Sequence, residues 1–114
     1  MANRTATSTG QPGGTRLAIL RFDRFKADPT NAEELLARRN TLVAAVREAV
    51  PGLIEARLVR IDDETWIDMW RWDSRTNAQA AAARARAGNI PEAAAAFALT
   101  RDVVTEFAEV VDER

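Results

Sequence analysis

The chain contains no cysteine and no histidine. Without cysteine there is no disulfide, no thiolate nucleophile and no thiolate-bound metal. Without histidine the commonest general base, the commonest metal ligand and the usual haem ligand are missing. A carboxylate-only metal site stays open chemically, but no spacing of Asp and Glu suggests one. Lysine is almost absent too: Lys26 stands alone among 16 basic residues, the rest being arginine. An excess of charge of either sign is also lacking, since 16 basic residues face 17 acidic ones for a net charge of −1. Electrostatics therefore give no reason to expect nucleic acid or an anionic membrane as partner. No apolar run approaches the roughly 18 residues of a membrane span. The first residues lack the apolar stretch of a secretory leader. The expectation is a cytoplasmic protein with neither nucleic acid nor membrane as partner.

The 114 residues are 46% hydrophobic and 29% charged. That balance suits one globular domain with one modest core. Residues 1–15, "MANRTATSTGQPGGT", have almost nothing to bury and are expected to form a flexible tail. The domain is expected over residues 16–114. It opens on a strand from Leu17 to Phe25, with Leu17, Ile19 and Phe25 on one face and Ala18, Leu20 and Phe22 on the other. A helix follows, with Thr30 and Glu33 spaced as a capping box. Leu35, Leu36, Leu42, Val43, Val46 and Val50 recur at helical spacing, and Pro51-Gly52 ends the run.

Leu53 to Ile61 and Thr65 to Trp72 read as two strands joined by a tight turn at Asp62-Asp63, hence an antiparallel hairpin. Ser74 is placed to cap a helix that Gly88 closes, and Pro91 opens a short further helix. Val103, Val104, Val110 and Val111 favour a last strand. The order β-α-β-β-α-α-β is a ferredoxin-like α+β fold, a four-stranded antiparallel sheet with its helices on one face. In the third strand both parities carry large apolar groups: Ile67 and Met69 with Arg71 on one face, and Trp66, Trp70 and Trp72 with Asp68 on the other. One helical layer covers only one face. A second copy of the chain is expected on the other, giving a homodimer.

Residues 51–81, "PGLIEARLVRIDDETWIDMWRWDSRTNAQAA", resemble the antibiotic biosynthesis monooxygenase family of the dimeric α/β-barrel superfamily. The likeness rests on the Pro51-Gly52 stop, the hairpin, and a strand ending in W-[DE]-S-x-x-x-A at Trp72, Asp73, Ser74 and Ala78. It runs from about Arg16 to the C-terminus. It implies a dimer of ferredoxin-like subunits with a pocket between sheet and helices in each. Some members oxidise polycyclic aromatic polyketides with O2 and neither metal nor flavin; others degrade haem or oxidise small quinols. The resemblance makes Trp72 a pocket residue. Polyketide-oxidising members carry an asparagine four residues before that tryptophan, where this chain has Asp68. Haem-degrading members take their axial ligand from a histidine in the second helix, and this chain has none.

The expected function is that of a monooxygenase without cofactor, acting on a small aromatic or quinone-like molecule. Asp68 and Trp72 are the candidate catalytic residues. In a dry pocket, desolvation would favour the protonated carboxyl and make Asp68 a general base nearer neutrality. Trp66 and Trp70 would add stacking surface. Arg21, Arg57 or Arg71 would hold the substrate anion, and Phe22 and Asn40 would complete the lining. The structural reading is equally concrete. With a two- or four-residue turn, Arg57 lies opposite Asp68 and the two form a cross-strand ion pair. With a three-residue turn, Asp68 faces Leu58 and Ala56 lies beside Trp70. The tryptophans could be core or dimer interface, and Ala80–Ala83 could leave room for a flat ligand or allow close packing. Arg38, Arg39 and the Arg84–Gly88 stretch read as solvated, the lesser alternative being that Arg38 or Arg39 reaches the pocket mouth. A binder or cyclase-like accessory protein, or a structural dimer, stand as alternatives.

Overall fold

The structure, a computed structural model, describes residues 18–114; the expected tail lies outside the described residues. The elements are β1 (Ile19–Lys26), α1 (Ala32–Ala49), β2 (Leu53–Arg60), β3 (Thr65–Trp72), α2 (Arg75–Arg86), α3 (Pro91–Phe97) and β4 (Arg101–Glu109). A 3-10 turn at Pro29–Asn31 leads into α1. All pairings are antiparallel, and the strands lie in the order β2-β3-β1-β4. This is the expected ferredoxin-like order.

The entry to α1 differs from the expected capping box. Asp28, not Thr30, does the capping. Its carboxylate accepts the Thr30 N–H at 2.9 Å and the Thr30 hydroxyl at 2.8 Å. The backbone N–H of Thr30 and then its hydroxyl hold the Asp28 carboxyl below its ordinary value. Pro29 supplies a preset φ for the short turn, which uses up the residues that a capping box at Thr30 needs. Along α1, Leu35, Leu42, Val43 and Val46 form the buried stripe. Leu36 lies off that stripe and is 48% exposed, contrary to expectation.

α1 stops where Gly52 takes φ +103°. A Cβ there would fall on the Asp73 carboxylate and the Asn77 amide, which hydrogen-bond to each other at 2.9 Å. The Asp73 N–H also donates to the Gly52 carbonyl at 2.9 Å. Gly52 therefore both ends α1 and brings the start of α2 against the start of β2. Ser74 caps α2 as expected, accepting the Asn77 N–H at 3.1 Å.

The hairpin turn is the three-residue form. Ile61 N–H donates to the Thr65 carbonyl at 2.8 Å, leaving residues 62–64 as the loop. The Asp62 carboxylate accepts the N–H groups of Glu64 and Thr65 at 2.9 and 2.8 Å. The Glu64 contact, followed by the Thr65 hydrogen bonds, holds the Asp62 carboxyl below its ordinary value. The register is Leu58↔Asp68 and Ala56↔Trp70. Arg57 faces Met69, so the Arg57–Asp68 ion pair does not form.

Register assigns the two sheet faces. Ile19, Arg21, Asp23 and Phe25 of β1 lie beside Trp72, Trp70, Asp68 and Trp66 of β3, under the helices. The core there joins Leu42, Val43, Val46, Trp70, Trp72 and Ala78. The other face carries Phe22, Val59, Ile67, Met69 and Val104, and among the described residues no helix lies over it. β4, at the sheet edge, is exposed along its whole length. No helix of the described residues is long and apolar enough to cross a membrane.

Candidate functional site

A cavity of about 460 Å³ lies between the helical layer and the sheet. That volume falls in the small-molecule range. Trp70 and Trp72 form its floor, with Leu42 and Val46 of α1 beside them. Ala81, Ala82 and Ala85 of α2 and Ala93, Ala94 and Phe97 of α3 form its roof. Of the Ala80–Ala83 run, Ala81 and Ala82 line the cavity, Ala80 packs against the core and Ala83 is exposed. Ala78 and Ala81 are buried in close contact with the sheet, while the short side chains of Ala82 and Ala85 leave the space above it open.

The cavity has a polar end. Asp68 lies four residues from Trp72, roughly 13 Å along the strand. Its carboxylate accepts two hydrogen bonds from Arg39 of α1, from Nε at 3.2 Å and from Nη2 at 3.0 Å. The carboxylate of Asp23, directly across from Asp68 on β1, is buried and also lines the cavity. It accepts Nε and Nη2 of Arg21 at 2.9 and 3.2 Å, and the Thr105 hydroxyl of β4. The Arg21 guanidinium sits 5.8 Å from the Phe107 ring centre, a cation–π contact that helps fix its plane. Two carboxylates side by side are tolerable because each is bound in two places by its own guanidinium.

Of the residues expected in the site, Asp68, Trp70, Trp72 and Arg21 line the cavity. The others do not. Trp66 packs with Phe25, Ala27 and Leu35 in a separate cluster, and Arg60 lies 4.5 Å over its ring. Phe22 and Arg71 project from the helix-free face because they have the opposite parity, and Arg71 pairs with Glu113 there. Arg57, on that same face, pairs with Glu55 at 3.0 Å. Asn40 is exposed on α1 and accepts a hydrogen bond from Arg39 at 3.3 Å. Among the described residues no group of three or more acidic side chains is placed to hold a metal ion.

Three charged residues were missed, and each carried a signal. Asp23 is two residues from Arg21 on one strand face. Arg39 falls four residues after Leu35 and four before Val43, inside the apolar stripe of α1 and not on its solvated side. Arg86 lines the cavity, continuing the stripe of Ala78 and Ala82 at four-residue steps. For Asp23 and Arg39 the cue was a charge on an apolar face; for Arg86 it was the four-residue spacing from Ala78 and Ala82. Thr105 and Phe107 had no such cue, since only the β1–β4 register brings them to the cavity.

Residues 19–96 match the model of the antibiotic biosynthesis monooxygenase family. With the ferredoxin-like topology, this defines the class: the chain belongs to the antibiotic biosynthesis monooxygenase family. Among solved structures it is similar to SnoaB, a cofactor-independent oxygenase from Streptomyces nogalater, at 22% identity and a TM-score of 0.61, covering 86% of this chain and 95% of that one. It is also similar to a Nitrosomonas europaea protein of unknown function, at 18% identity and a TM-score of 0.63, covering 89% and 96% of the two chains. A dimeric ferredoxin-like protein from an uncultured marine organism matches at 15% identity and a TM-score of 0.64, covering 88% and 93%. These structures share the fold. No curated protein matches the chain.

Proposed function

We propose that the chain is a monooxygenase that needs no metal or flavin and acts on a small aromatic or quinone-like substrate. The observation that carries this reading is the cavity itself: an apolar slot floored by two indoles, with one polar end at Asp68. Arg39 occupies two acceptor positions of the Asp68 carboxylate, and a carboxylate offers about four. The remaining lone pairs can take a proton from a phenol or an anthrone-like C–H. Arg21, with three of its five N–H donors outside the Asp23 pair, can hold the resulting anion. The electron-rich anion reacts with O2 directly. A CH2 carbon becomes a hydroperoxide, which loses water to leave a carbonyl.

The test is oxygen uptake with a panel of anthrones and naphthoquinols. Turnover is expected, and Asp68→Asn should lower kcat about 100-fold or more. Unchanged turnover and pH dependence in that variant would remove Asp68 as the base. A second reading rests on the Arg39 clamp, which fixes the Asp68 carboxylate in place to accept a ligand hydroxyl. On that reading the protein binds its ligand without oxidation. Saturable quenching of tryptophan fluorescence with no oxygen uptake would select it.

We also infer a homodimer formed through the helix-free face. Phe22, Ile67, Met69 and Val104 lie there, Val104 57% exposed, with no helix of the described residues to cover them. Sedimentation at micromolar concentration should give a species of twice the chain's mass. A stable monomer would show that this face tolerates water.

A further inference from the structure

The charges around the polar end do not balance. β1 contributes Arg21 and Asp23, β3 contributes Asp68, and α1 brings Arg39 up behind Asp68. α2 contributes Arg86. The Arg21–Asp23 pair at 2.9 Å and the Arg39–Asp68 pair at 3.0 Å each consume one cation and one anion. Arg86 is left over. Among the described residues it makes no ion pair and donates no side-chain hydrogen bond.

Its place along the cavity follows from the chain path. β3 runs from Asp68 to Trp72, and the chain then reverses into α2 through Asp73 and Ser74. Arg86 lies eight residues beyond Ala78, which packs in the same core cluster as Trp72, so it stands roughly 12 Å away along the helix axis. Asp68 lies roughly 13 Å from Trp72 along the strand in the same sense. Arg86 and the two carboxylates therefore share one end of the cavity, with Arg86 exposed at its mouth. That end carries one uncompensated positive charge.

We propose that the cavity selects a flat aromatic ligand bearing one negative charge, and that Arg86 is the residue that makes the selection. The inference rests on the reading of the cavity as a ligand site. The aromatic body lies between the alanine roof and the indoles, and the anionic group points outward to Arg86. The two inner ion pairs stay intact, because neither has to be broken to receive the ligand's charge. An uncharged ligand of the same shape gains the apolar contacts and leaves Arg86 to water.

The test compares 2-naphthoate with 2-naphthamide, matched in shape and differing in charge, by tryptophan fluorescence titration. In the native protein naphthoate should bind about five-fold more tightly at low salt. The preference should shrink toward unity near about 0.5 M salt. Arg86→Gln should weaken naphthoate about five-fold and leave naphthamide unchanged. Arg86→Lys should restore most of the loss. Arg86 is exposed, so neither variant should disturb folding. Equal affinity for the two probes, or equal weakening of both in Arg86→Gln, overturns the charge selection while leaving the cavity a ligand site. Saturable quenching by neither probe overturns both.

Discussion

Arg39→Met should destabilise the fold by about 3 kcal/mol at neutral pH, an unusually large effect for an arginine on a helix surface. The reason is what it leaves behind. Asp68 is 8% exposed and sits among Trp70, Leu42 and the cavity wall. Arg39 supplies both of its charge-assisted hydrogen bonds. Without Arg39 an ionised carboxylate stays buried with no partner. Methionine keeps most of the side-chain volume, so the loss reports the missing charge and not a void. The neighbouring arginine is the control. Arg38 pairs with Glu34 at 2.8 Å in a solvated i, i+4 pair and also donates to the Ala95 carbonyl. Arg38→Met should cost about 1 kcal/mol or less. The double variant Arg39→Met/Asp68→Leu should recover most of the loss, because replacing both partners removes the unpaired charge. Urea unfolding at one fixed protein concentration measures all three. A loss under about 1 kcal/mol for Arg39→Met would mean that water reaches Asp68 freely and that the ion pair is a surface one.

This pair also shows where reading the sequence stops. Strand parity was legible: Trp66, Asp68, Trp70 and Trp72 do share a face, and they face the helices with Arg21. The element order was legible, because its punctuation is local: Pro51-Gly52, Ser74, Gly88 and Pro91 all act within a few residues of where they stand. The hairpin register was not. A turn of two, three or four residues is compatible with "IDDE", and only the Asp62 carboxylate, accepting from both Glu64 and Thr65, settles it at three. One residue of turn length moved Arg57 to the opposite face and left Asp68 without a cross-strand cation. The partner it found came from a helix 29 positions away. Parity likewise removed Phe22 and Arg71 from the site, and distance along the strand removed Trp66, which lies beyond Asp68 in a different cluster. A local pattern says which face a side chain occupies. It does not say which element lies over that face, so the lining drawn from β4 and α3 was out of reach.

Trp72→Ala should cost about 3–5 kcal/mol, and Trp72→Phe should separate the two roles of this residue. Trp72 is 1% exposed and is the largest fully buried side chain among the described residues. It packs with Val46, Val50 and Ala78, so truncation opens a void where α1, α2 and the sheet meet. The same side chain lines the cavity, and its indole N–H has no hydrogen-bond partner among the described residues. A buried donor without an acceptor costs stability in the empty protein, about 1–3 kcal/mol. Phenylalanine keeps much of the ring and removes the donor. The gain from losing the orphan N–H then offsets part of the lost volume, and Trp72→Phe should unfold within about 1.5 kcal/mol of the native protein. Ligand binding should respond in the opposite order of mildness. If a ligand acceptor answers the indole N–H, Trp72→Phe loses affinity for a naphthoquinol probe while remaining folded. If the tryptophan is only core, Trp72→Phe binds as the native protein does, and the orphan N–H is a cost of packing that nothing in the cavity repays. Urea unfolding and quenching of the two remaining tryptophans, run on the same variant, read both quantities. A naphthoquinol affinity that falls with no matching loss of stability would mark Trp72 as part of the binding surface, and an unchanged affinity would leave Trp70 as the indole that meets the ligand.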